Sequence, residues 1–375
     1  MRLLVAGLTG QLGHGLVEAA ERADVELVPL VRPTARRRAA DRVTRLFGPG
    51  ALGDRTLEGD VTQPLWGLDE SRLPELAAEL DGVLDLAAEV DWTAGDEALF
   101  TTNVLGATHG LELARRLSAA GGRCRLFCLA SSVHVAGART GQVPEQRLGP
   151  DGSRTRYEQS KWEAEEAVLH PGREPGAPRV LVARIGGLIG SSETGATVRR
   201  NSLYMLADEW DRARGGVIPA FGRGRVDMLP RDVAGQLLLR AARGALEESA
   251  PVPEIVHVCA GEAAPRTDAV IEIARSLDAT GRLAPKRRIP LPAPALAWVT
   301  QNAERFLPLS RRDGNALVGT RYLALDRTFE RNALAALVGD DLPAPTAEEI
   351  ARLTFEVGPP PVRPLPAGSL ARYAA

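Results

Sequence analysis

The sequence is poor in lysine and in cysteine. Of its 46 basic residues only Lys161 and Lys286 are lysine, and the other 44 are arginine. The three cysteines, Cys124, Cys128 and Cys259, do not make a disulfide framework. Cys124 and Cys128 fall in one predicted strand, where four residues span roughly 13 Å, which is too far for a disulfide. These residues predict a reduced, cytoplasmic protein.

Long apolar runs and an excess of charge of one sign are also missing. No stretch approaches the ~18 apolar residues of a membrane helix, and no hydrophobic segment of signal-peptide length precedes the first apolar strand at residues 3–6. The formal net charge is −2, so no overall basic field would attract nucleic acid or an anionic membrane. The histidines are scattered without a pair at metal-ligand spacing. We therefore expect neither nucleic acid, nor a membrane, nor a metal ion as a partner.

The first half of the chain alternates between strand-like and helical segments. Its 375 residues suffice for one large domain with a smaller appended lobe. The alternation predicts an α/β protein whose parallel sheet is covered by helices on both faces. Strands are predicted near residues 2–6, 26–31, 55–59, 82–87, 124–130 and 179–184, and helices near 11–22, 35–47, 96–119 and 155–169.

The second half is less regular. Helices are predicted near 197–214, 231–247, 266–277 and 291–305, and a strand at 255–258 is expected to return to the main sheet. We expect a Rossmann-type doubly wound core over residues 1–185. A smaller, mainly helical substrate lobe should cover 186–357, with returning strands near 226–260. Residues 358–375 form a proline-rich tail.

The first strand runs into a glycine-rich loop, GLTGQLG at residues 7–13, which opens a helix. Glycines let the backbone turn tightly and let a pyrophosphate approach the helix N-terminus, where free N–H groups and the helix dipole favour anions. This position between strand and helix predicts a dinucleotide-binding site. Its expected contacts are Gly7, Thr9, Gly10, Gln11, Leu12 and Gly13.

Arginines after the second strand indicate which dinucleotide is bound. An acidic residue there would bind the ribose 2′-hydroxyl of NAD, whereas arginine can hold the 2′-phosphate of NADP. The segment from residue 30 reads LVRPTARRR, with no carboxylate before Asp41. We therefore expect NADP, with Arg32 as the first phosphate partner and one of the following arginines, such as Arg36, as the second.

Residues at the ends of the third and fourth strands complete the expected cofactor site. Asp60, with Val61 beside it, can accept a hydrogen bond from the adenine amino group. Ala87 and Ala88 are small enough for the cofactor to pass over the sheet edge. Ordinary packing at a strand end would explain the two alanines as well.

Lys161 follows Tyr157 by four residues in the run YEQSK. This is about one turn of helix, so both side chains leave the same helix face. An ammonium beside a phenol favours the phenolate and lowers the tyrosine pKa, which suits proton transfer near neutral pH. Arginine would replace this lysine poorly, because its planar fork is no compact point charge. The spacing indicates an acid/base pair, although a solvated helix face has the same spacing.

Taken in order, these motifs resemble those of the extended short-chain dehydrogenase/reductase family. The resemblance covers roughly residues 1–260. It comprises G-x2-G-x2-G from residue 7, GDV from 59, LAA from 86, NVxG from 103, SS from 131, Y-x3-K from 157 and VDxxPxDVA from 226.

The resemblance implies roles for the catalytic residues. Tyr157 would be the acid/base, and Lys161 would bind the nicotinamide ribose and lower the tyrosine pKa. Ser132 would hydrogen-bond the substrate carbonyl; Ser131 is the alternative, since strand alternation lets only one of the two face the site. Asn103 would hold the helix and the water chain that carries protons to Lys161. Independently, hydride transfer to a carbonyl needs hydroxyl donors and a proton for the developing alkoxide.

Within the family, segments beginning at residues 30, 58, 87 and 184 look like the acyl-thioester reductases. These are the fatty acyl-CoA reductases and the terminal reductase domains of carboxylate reductases and peptide synthetases. Ile185 stands where the family usually has proline, which weakens the inference about the substrate loop. No adenylation or carrier domain fits in this length, so we expect a small-molecule CoA ester, or an acyl group on a separate carrier protein, as substrate.

Three functions are compatible with the residues. The first is an NADPH-dependent reductase that converts an acyl thioester to an aldehyde or an alcohol. The second is a nucleotide-sugar epimerase or dehydratase, or a sterol-type dehydrogenase, against which the arginines after the second strand count. The third is a non-catalytic NADP-binding regulator, which would not need all four catalytic residues. The family resemblance also implies that helices near 96–119 and 155–169 could pair across a two-fold axis in a homodimer, which the residues themselves do not decide.

Several further residues have only weak signals. Asp91 and Trp92, after the fourth strand, could line the substrate mouth. His134, two residues after Ser132, could point toward the same pocket, although packing at the strand end explains it equally. For Glu145, in a predicted loop, the sequence indicates no role.

Overall fold

The chain folds around one large parallel sheet with small two-stranded sheets beside it. The computed structural model describes residues 1–34, 38–48, 52, 55–150, 154–170, 177–198, 200, 203–205, 207–208, 217–247, 252–283, 287–290, 319 and 321–356. In these residues the strands are β1 (Arg2–Ala6), β2 (Glu26–Val31), β3 (Leu57–Glu58), β4 (Gly82–Asp85), β5 (Leu126–Ser132), β6 (Gly141–Val143), β7 (Arg179–Ile185), β8 (Gly187–Ile189), β9 (Val217–Ala220), β10 (Met228–Pro230), β11 (Ile255–Val258), β12 (Arg287–Pro290) and β13 (Arg327–Phe329).

The large sheet has seven strands in the order β11-β7-β5-β4-β1-β2-β3. Every pairing in it is parallel, as between β1 and β4, where Leu3 lies opposite Gly82. β11 pairs with β7, with Ile255 opposite Val182, so the predicted return of residues 255–258 to the main sheet is confirmed. The carboxyl ends of the parallel strands meet at one edge, where ligands bind in open α/β sheets.

Helices cover both faces of this sheet and build the smaller lobe. A π-helical segment, Phe100–Leu105, joins the fourth and fifth helices. The helices are α1 (Gln11–Ala20), α2 (Ala39–Phe47), α3 (Leu73–Glu79), α4 (Asp96–Leu99), α5 (Gly106–Ala119), α6 (Arg156–Leu169), α7 (Arg231–Glu247), α8 (Thr267–Leu277), α9 (Asn332–Val338) and α10 (Ala347–Phe355). No helix in the described ranges is long and apolar enough to cross a membrane.

The two faces of the sheet bury separate apolar clusters. In β1, Leu3 and Val5 point to the side covered by α1 and α7, while Leu4 and Ala6 point to the side covered by α3, α5 and α6. Successive side chains of a strand alternate in this way, and a parallel sheet buried on both faces reads as a continuous apolar run. The doubly wound α/β fold predicted from the sequence is therefore confirmed. A third cluster joins α8 and α10 in the smaller lobe.

The structure departs from the predicted elements in three places. The helix predicted over 96–119 is divided into α4, the π-helical segment and α5. The third strand is limited to Leu57–Glu58. Outside the main sheet, β10 pairs with β8 in a sheet of its own, whereas strands near 226–260 were expected to return to the main sheet; the other short strands, and the helices α3, α9 and α10, were not predicted. The predicted helix near 291–305 and the tail 358–375 lie outside the described residues, as does much of 197–214.

Helices α1 and α7 pack backbone against backbone. A Cβ atom added to Gly15 would lie 1.9 Å from the carbonyl oxygen of Arg231, and one added to Gly235 would lie 2.2 Å from the carbonyl carbon of Gly15. Both distances are far below any van der Waals contact, so only glycine fits at this crossing. The contact holds the helix that follows the glycine-rich loop against the sheet.

A Gly15→Ala substitution is expected to lower the free energy of unfolding by about 1–3 kcal/mol, because the two helices must separate to admit the methyl group. Denaturation in urea measures the change. Gly149→Ala is the matched control, since a Cβ there meets nothing within 4 Å, and surface changes of this kind stay within about 0.5 kcal/mol. Equal effects of the two substitutions would contradict the helix-contact explanation.

Candidate functional site

Two glycines of the glycine-rich loop lie where no side chain would fit. Gly7 has a φ of +85°, and a Cβ on it would lie 2.5 Å from the backbone nitrogen of Ala87. A Cβ on Gly13 would lie 2.3 Å from the carbonyl oxygen of Leu8. The loop therefore lies directly on the end of β4 and leads into the N-terminus of α1, whose free N–H groups favour an anion. This cradle fits the pyrophosphate of a dinucleotide.

A cavity of about 530 Å³ opens beside this loop at the carboxyl edge of the sheet. It brings together the loop, the end of β5, the start of α6 and residues from the second half of the chain. The predicted site residues that line it are Gly7, Thr9, Gly10, Gln11, Leu12, Gly13, Ala88, Ser131, Ser132, Tyr157 and Lys161, so both serines of the pair reach the cavity.

The remaining predicted residues lie outside this lining, and Arg36 lies outside the described residues. Arg32 has an exposed side chain whose Nη1 is 3.8 Å from Asp60 Oδ2. The other carboxylate oxygen of Asp60 accepts hydrogen bonds from the backbone nitrogen and hydroxyl of Thr62. Val61 offers its carbonyl oxygen to the ring of His109, 3.2 Å away.

Ala87 lies at the end of β4 beside a buried carboxylate. Its backbone nitrogen donates to Asp85 Oδ1 at 3.0 Å. Burial raises the pKa of Asp85 to about 6, although the nearby charge of Lys161 acts in the opposite direction. Asp85 at the end of β4 therefore interacts electrostatically with Lys161, the one lysine among the described residues that line the cavity.

Tyr157 and Lys161 lie one turn apart on α6 and both line the cavity. A capping box starts this helix: Thr155 accepts from the backbone of Glu158, whose carboxylate accepts from the backbone of Thr155. Lys161 is 1% exposed, and its Nζ donates to the carbonyl oxygen of Ala130 at 2.8 Å. Burial lowers the pKa of Lys161, and the carboxylates of Asp85 and Glu165 oppose that shift.

Asn103 lies in the π-helical segment and is buried. Its side-chain oxygen accepts from the backbone nitrogen of Glu89 at 2.8 Å, and its amide nitrogen donates to Ser160 Oγ at 2.8 Å. Ser160 in turn donates to the carbonyl oxygen of Tyr157. Asn103 therefore ties the end of the fourth strand to the helix that carries the tyrosine and the lysine. Single π-helical turns of this kind often occur at functional sites.

The two serines at the end of β5 have different partners. Ser131 Oγ donates to Glu165 Oε1 at 2.5 Å, within a buried ion pair between Glu165 and Arg184. Ser132 Oγ accepts from the backbone nitrogen of His134 at 3.2 Å, which leaves its own hydrogen available. Of the two hydroxyl groups, the one on Ser132 can donate to a ligand without breaking a bond to a carboxylate.

One part of the cavity wall is aromatic. Trp92 and His134 line the cavity, whereas the carboxylate of Asp91 is occupied by the backbone and hydroxyl of Thr93. The ring centroid of Tyr322 lies 3.9 Å from that of His134 and 5.1 Å from that of Trp92.

Tyr322 and Arg327 were missed in the sequence. The hydroxyl of Tyr322 donates to Glu158 Oε1 at 2.7 Å, so the second half of the chain is bonded to the start of α6. Arg327 also lines the cavity. No local motif marks these two residues, because they reach the site from more than 160 positions away.

Glu145 holds loop, strand and helix together. Its Oε1 accepts from the backbone nitrogens of His257 and Leu334, and its Oε2 accepts from that of Ala333. Two of these donors are orphan N–H groups of the first turn of α9. A carboxylate from a distant loop therefore caps this helix, which sequence spacing could not indicate.

Comparison with known proteins relates this geometry to a family. The pattern of the family described as Male sterility protein matches residues 5–238. The chain is 28% identical over 257 residues to glycine betaine reductase ATRR of Emericella nidulans, covering 64% of the chain and 20% of that protein. It is 27% identical over 223 residues to the L-2-aminoadipate reductase large subunit of Penicillium chrysogenum, covering 52% and 15%. The chain thus spans a fifth or less of these relatives.

A solved structure shares the fold over nearly the whole chain. The terminal R domain from the myxalamid PKS-NRPS biosynthetic pathway superimposes with a TM-score of 0.70 at 23% identity. The match covers 95% of this chain and 89% of that one. It therefore extends beyond the sheet into the second half of the chain.

Proposed function

This chain belongs to the Male sterility protein family of extended short-chain dehydrogenases/reductases, which bind a nicotinamide dinucleotide, and we propose that it is an NADPH-dependent reductase of acyl thioesters. The observation that carries the proposal is the presence of Tyr157 and Lys161 in the same cavity as the glycine-rich loop. Cofactor, acid and substrate can meet there. The reductase names of two relatives support the same reaction class.

The residues of the chain would act on the substrate as follows. Ser132 donates a hydrogen bond to the thioester carbonyl and polarises it. Tyr157 gives its proton to the developing alkoxide, and the charge of Lys161 favours the phenolate that remains. When bound, NADPH supplies a hydride from C4 of its nicotinamide. The product, a hemithioacetal, loses the hydroxyl proton and expels the thiol, which leaves an aldehyde; a second reduction gives an alcohol.

The substrate region would lie between the aromatic wall and the second half of the chain. Apolar side chains such as Val90, Met205, Met228 and Leu323 line it, which suits an acyl chain. The thioester would arrive as a CoA ester or on a separate carrier protein. We further propose that residues 1–185 form the nucleotide-binding core, which also carries the catalytic residues, and that 186–357 form the substrate-binding lobe. Homodimer formation stays a prediction.

Incubation of the protein with NADPH and a series of acyl-CoA esters tests the proposed function. We expect loss of absorbance at the reduced nicotinamide band together with release of one free thiol for each thioester consumed. Freshly purified protein that carries bound NAD and shows no net oxidation of NADPH would contradict the proposal and indicate an epimerase.

The choice of NADPH rests on Arg32, with Arg36 as a second candidate. The exposed guanidinium of Arg32 lies beyond β2 and near Asp60, where a 2′-phosphate could replace the distant carboxylate as its partner. Arg32→Ala is expected to weaken NADPH binding by about 10–100-fold, as for loss of a hydrogen bond to a charged group. NADH binding should change little.

Fluorescence titration of both nucleotides measures this preference. Arg116→Ala provides the control, because Arg116 is an exposed arginine on α5 paired with Glu112. If Arg32→Ala weakened NADPH and NADH binding equally, Arg32 would not read the 2′-phosphate.

A further inference from the structure

His134 is fixed at the cavity wall immediately beyond the serine pair. It lies in a 3₁₀ turn, Val133–Ala136, that follows β5. Its ring packs against that of Tyr322, with centroids 3.9 Å apart and planes tilted by 35°, and Trp92 lies edge-on with its centroid 6.0 Å away. Its backbone nitrogen donates to Ser132 Oγ at 3.2 Å. Two aromatic side chains therefore pack against the ring, and the backbone of His134 is bonded to the expected carbonyl ligand.

Arg327 sets the position of the proton on this ring. Its Nη2 lies 3.1 Å from His134 Nδ1, and its Nη1 donates to the carbonyl oxygen of Gly137 at 2.8 Å. A guanidinium can only donate, so Nδ1 must accept and the proton of the neutral imidazole must reside on Nε2. Burial, together with the charges of Arg327 and Arg321, lowers the pKa of His134 well below its ordinary value.

The Nε2–H group has no partner within the described part of the chain. The ring to which it belongs lines the cavity. The tautomer of the ring is fixed, and its N–H group at the cavity wall is left without an acceptor. Such a group is positioned to donate a hydrogen bond to a ligand. It cannot transfer a proton, because the neutral imidazole is a very weak acid; it can only stabilise negative charge.

We propose that His134 is a catalytic residue that donates a hydrogen bond from Nε2–H to the carbonyl oxygen of the substrate, beside Ser132. The inference rests on the proposed thioester reduction. Charge develops on that oxygen when the carbonyl carbon accepts a hydride, and a donor already oriented toward it stabilises the transition state more than the ground state. Tyr157 then supplies the proton. Arg327 is a positioning residue, since it acts through the tautomer of His134.

Two substitutions of His134 distinguish the effect of losing the N–H donor from the effect of losing the imidazole ring. His134→Leu replaces the imidazole with an apolar side chain that has no hydrogen-bond donor. We expect kcat to fall by about 10–100-fold with little change in KM. His134→Gln can present an amide N–H at the reach of Nε2, and it should retain most of kcat. His170→Leu, at the exposed end of α6, is the control. Equal losses in the Leu and Gln variants, or none in either, would overturn the proposal.

Nitrogen-15 NMR of the histidine side chains tests the proposal on the wild-type protein. It requires no turnover and does not depend on whether a variant folds. The chain has five histidines, so the His134 signals can be assigned. We expect the Nε2–H tautomer in the free protein and a downfield shift of that proton when NADP⁺ and a non-reducible amide analogue of acyl-CoA are added. The Nδ1–H tautomer, or an unchanged proton on ligand binding, would overturn the proposal.

The two readouts distinguish failure of this inference from failure of the proposed function. An inactive wild-type protein whose Nε2–H proton still shifts with the analogue would contradict thioester reduction and leave the donor role intact. An active wild-type protein whose His134→Leu variant matches it in kcat would contradict the donor role alone.

Discussion

Replacement of Tyr157 by phenylalanine is expected to lower kcat for thioester reduction by about 10²–10⁴-fold, the usual contribution of a positioned general acid. The change removes only the hydroxyl. The ring, whose centroid is 6.4 Å from that of Trp92, can keep its packing in the buried site. Without the proton donor, the alkoxide that forms on the substrate must be protonated by water. Steady-state rates with NADPH and acyl-CoA measure the effect.

Binding of NADPH is the control for Tyr157→Phe, because the glycine-rich loop and Lys161 are unchanged. We expect the dissociation constant of NADPH to stay within about threefold of the wild-type value, as for loss of one hydrogen bond or less. A variant that kept more than a tenth of the wild-type kcat would assign the proton transfer to another group, and the acid/base role of Tyr157 would be wrong.

Replacement of Arg184 by methionine is expected to lower the free energy of unfolding by about 3–5 kcal/mol. Arg184 is fully buried and donates to both oxygens of Glu165 and to the carbonyl oxygen of Gln146. Without Arg184, the buried carboxylate of Glu165 keeps only the hydrogen bond from Ser131, of the two side chains that donate to it in the described residues. Burying an unpaired charge is the source of the loss. Urea denaturation measures it.

The double variant Arg184→Met with Glu165→Gln identifies the cause. If the stranded carboxylate is responsible, removing its charge should recover a large part of the lost stability. The exposed pair of Arg116 and Glu112 is the comparison, since Arg116→Met should lower stability by no more than about 1 kcal/mol. A double variant as unstable as Arg184→Met alone would contradict this explanation.

The buried ion pair also bears on the site. It binds Ser131, the neighbour of the residue proposed to contact the carbonyl. Both serines at the end of β5 line the cavity, and the hydroxyl of Ser131 is bound to Glu165 whereas that of Ser132 is not bound to a carboxylate. Replacing Arg184 leaves the bond between Ser131 and Glu165 but removes the side chain that fixes the Glu165 carboxylate, so we expect the stability loss to be accompanied by weaker catalysis.

The main sheet could be predicted from the sequence because its information is local. In β1, residues 3–6 are apolar on both faces, as a central parallel strand requires, and a glycine-rich loop follows directly. The division of residues 96–119 could not be predicted. The π-helical turn depends on Asn103 reaching the backbone of Glu89 on another segment, and helix periodicity does not show that contact.

The candidate site divides in the same way. The spacing of Tyr157 and Lys161 on one helix, and the glycines from residue 7, are visible in short stretches of sequence. Tyr322 and Arg327 are not, because the chain folds back over more than 160 residues to place them against Glu158 and His134. Such contacts are set by the packing of the second half of the chain, and no short motif encodes them.

The most direct measurement of thioester reduction at the site of Tyr157 and Lys161 follows the hydride itself. The protein is incubated with NADPH that carries deuterium at both positions of nicotinamide C4 and with an acyl-CoA ester, and the products are analysed by mass spectrometry. We expect an aldehyde with one deuterium on its carbonyl carbon, or an alcohol with two, and an equivalent of free CoA. An acyl-CoA recovered intact and without deuterium would contradict the proposed reaction.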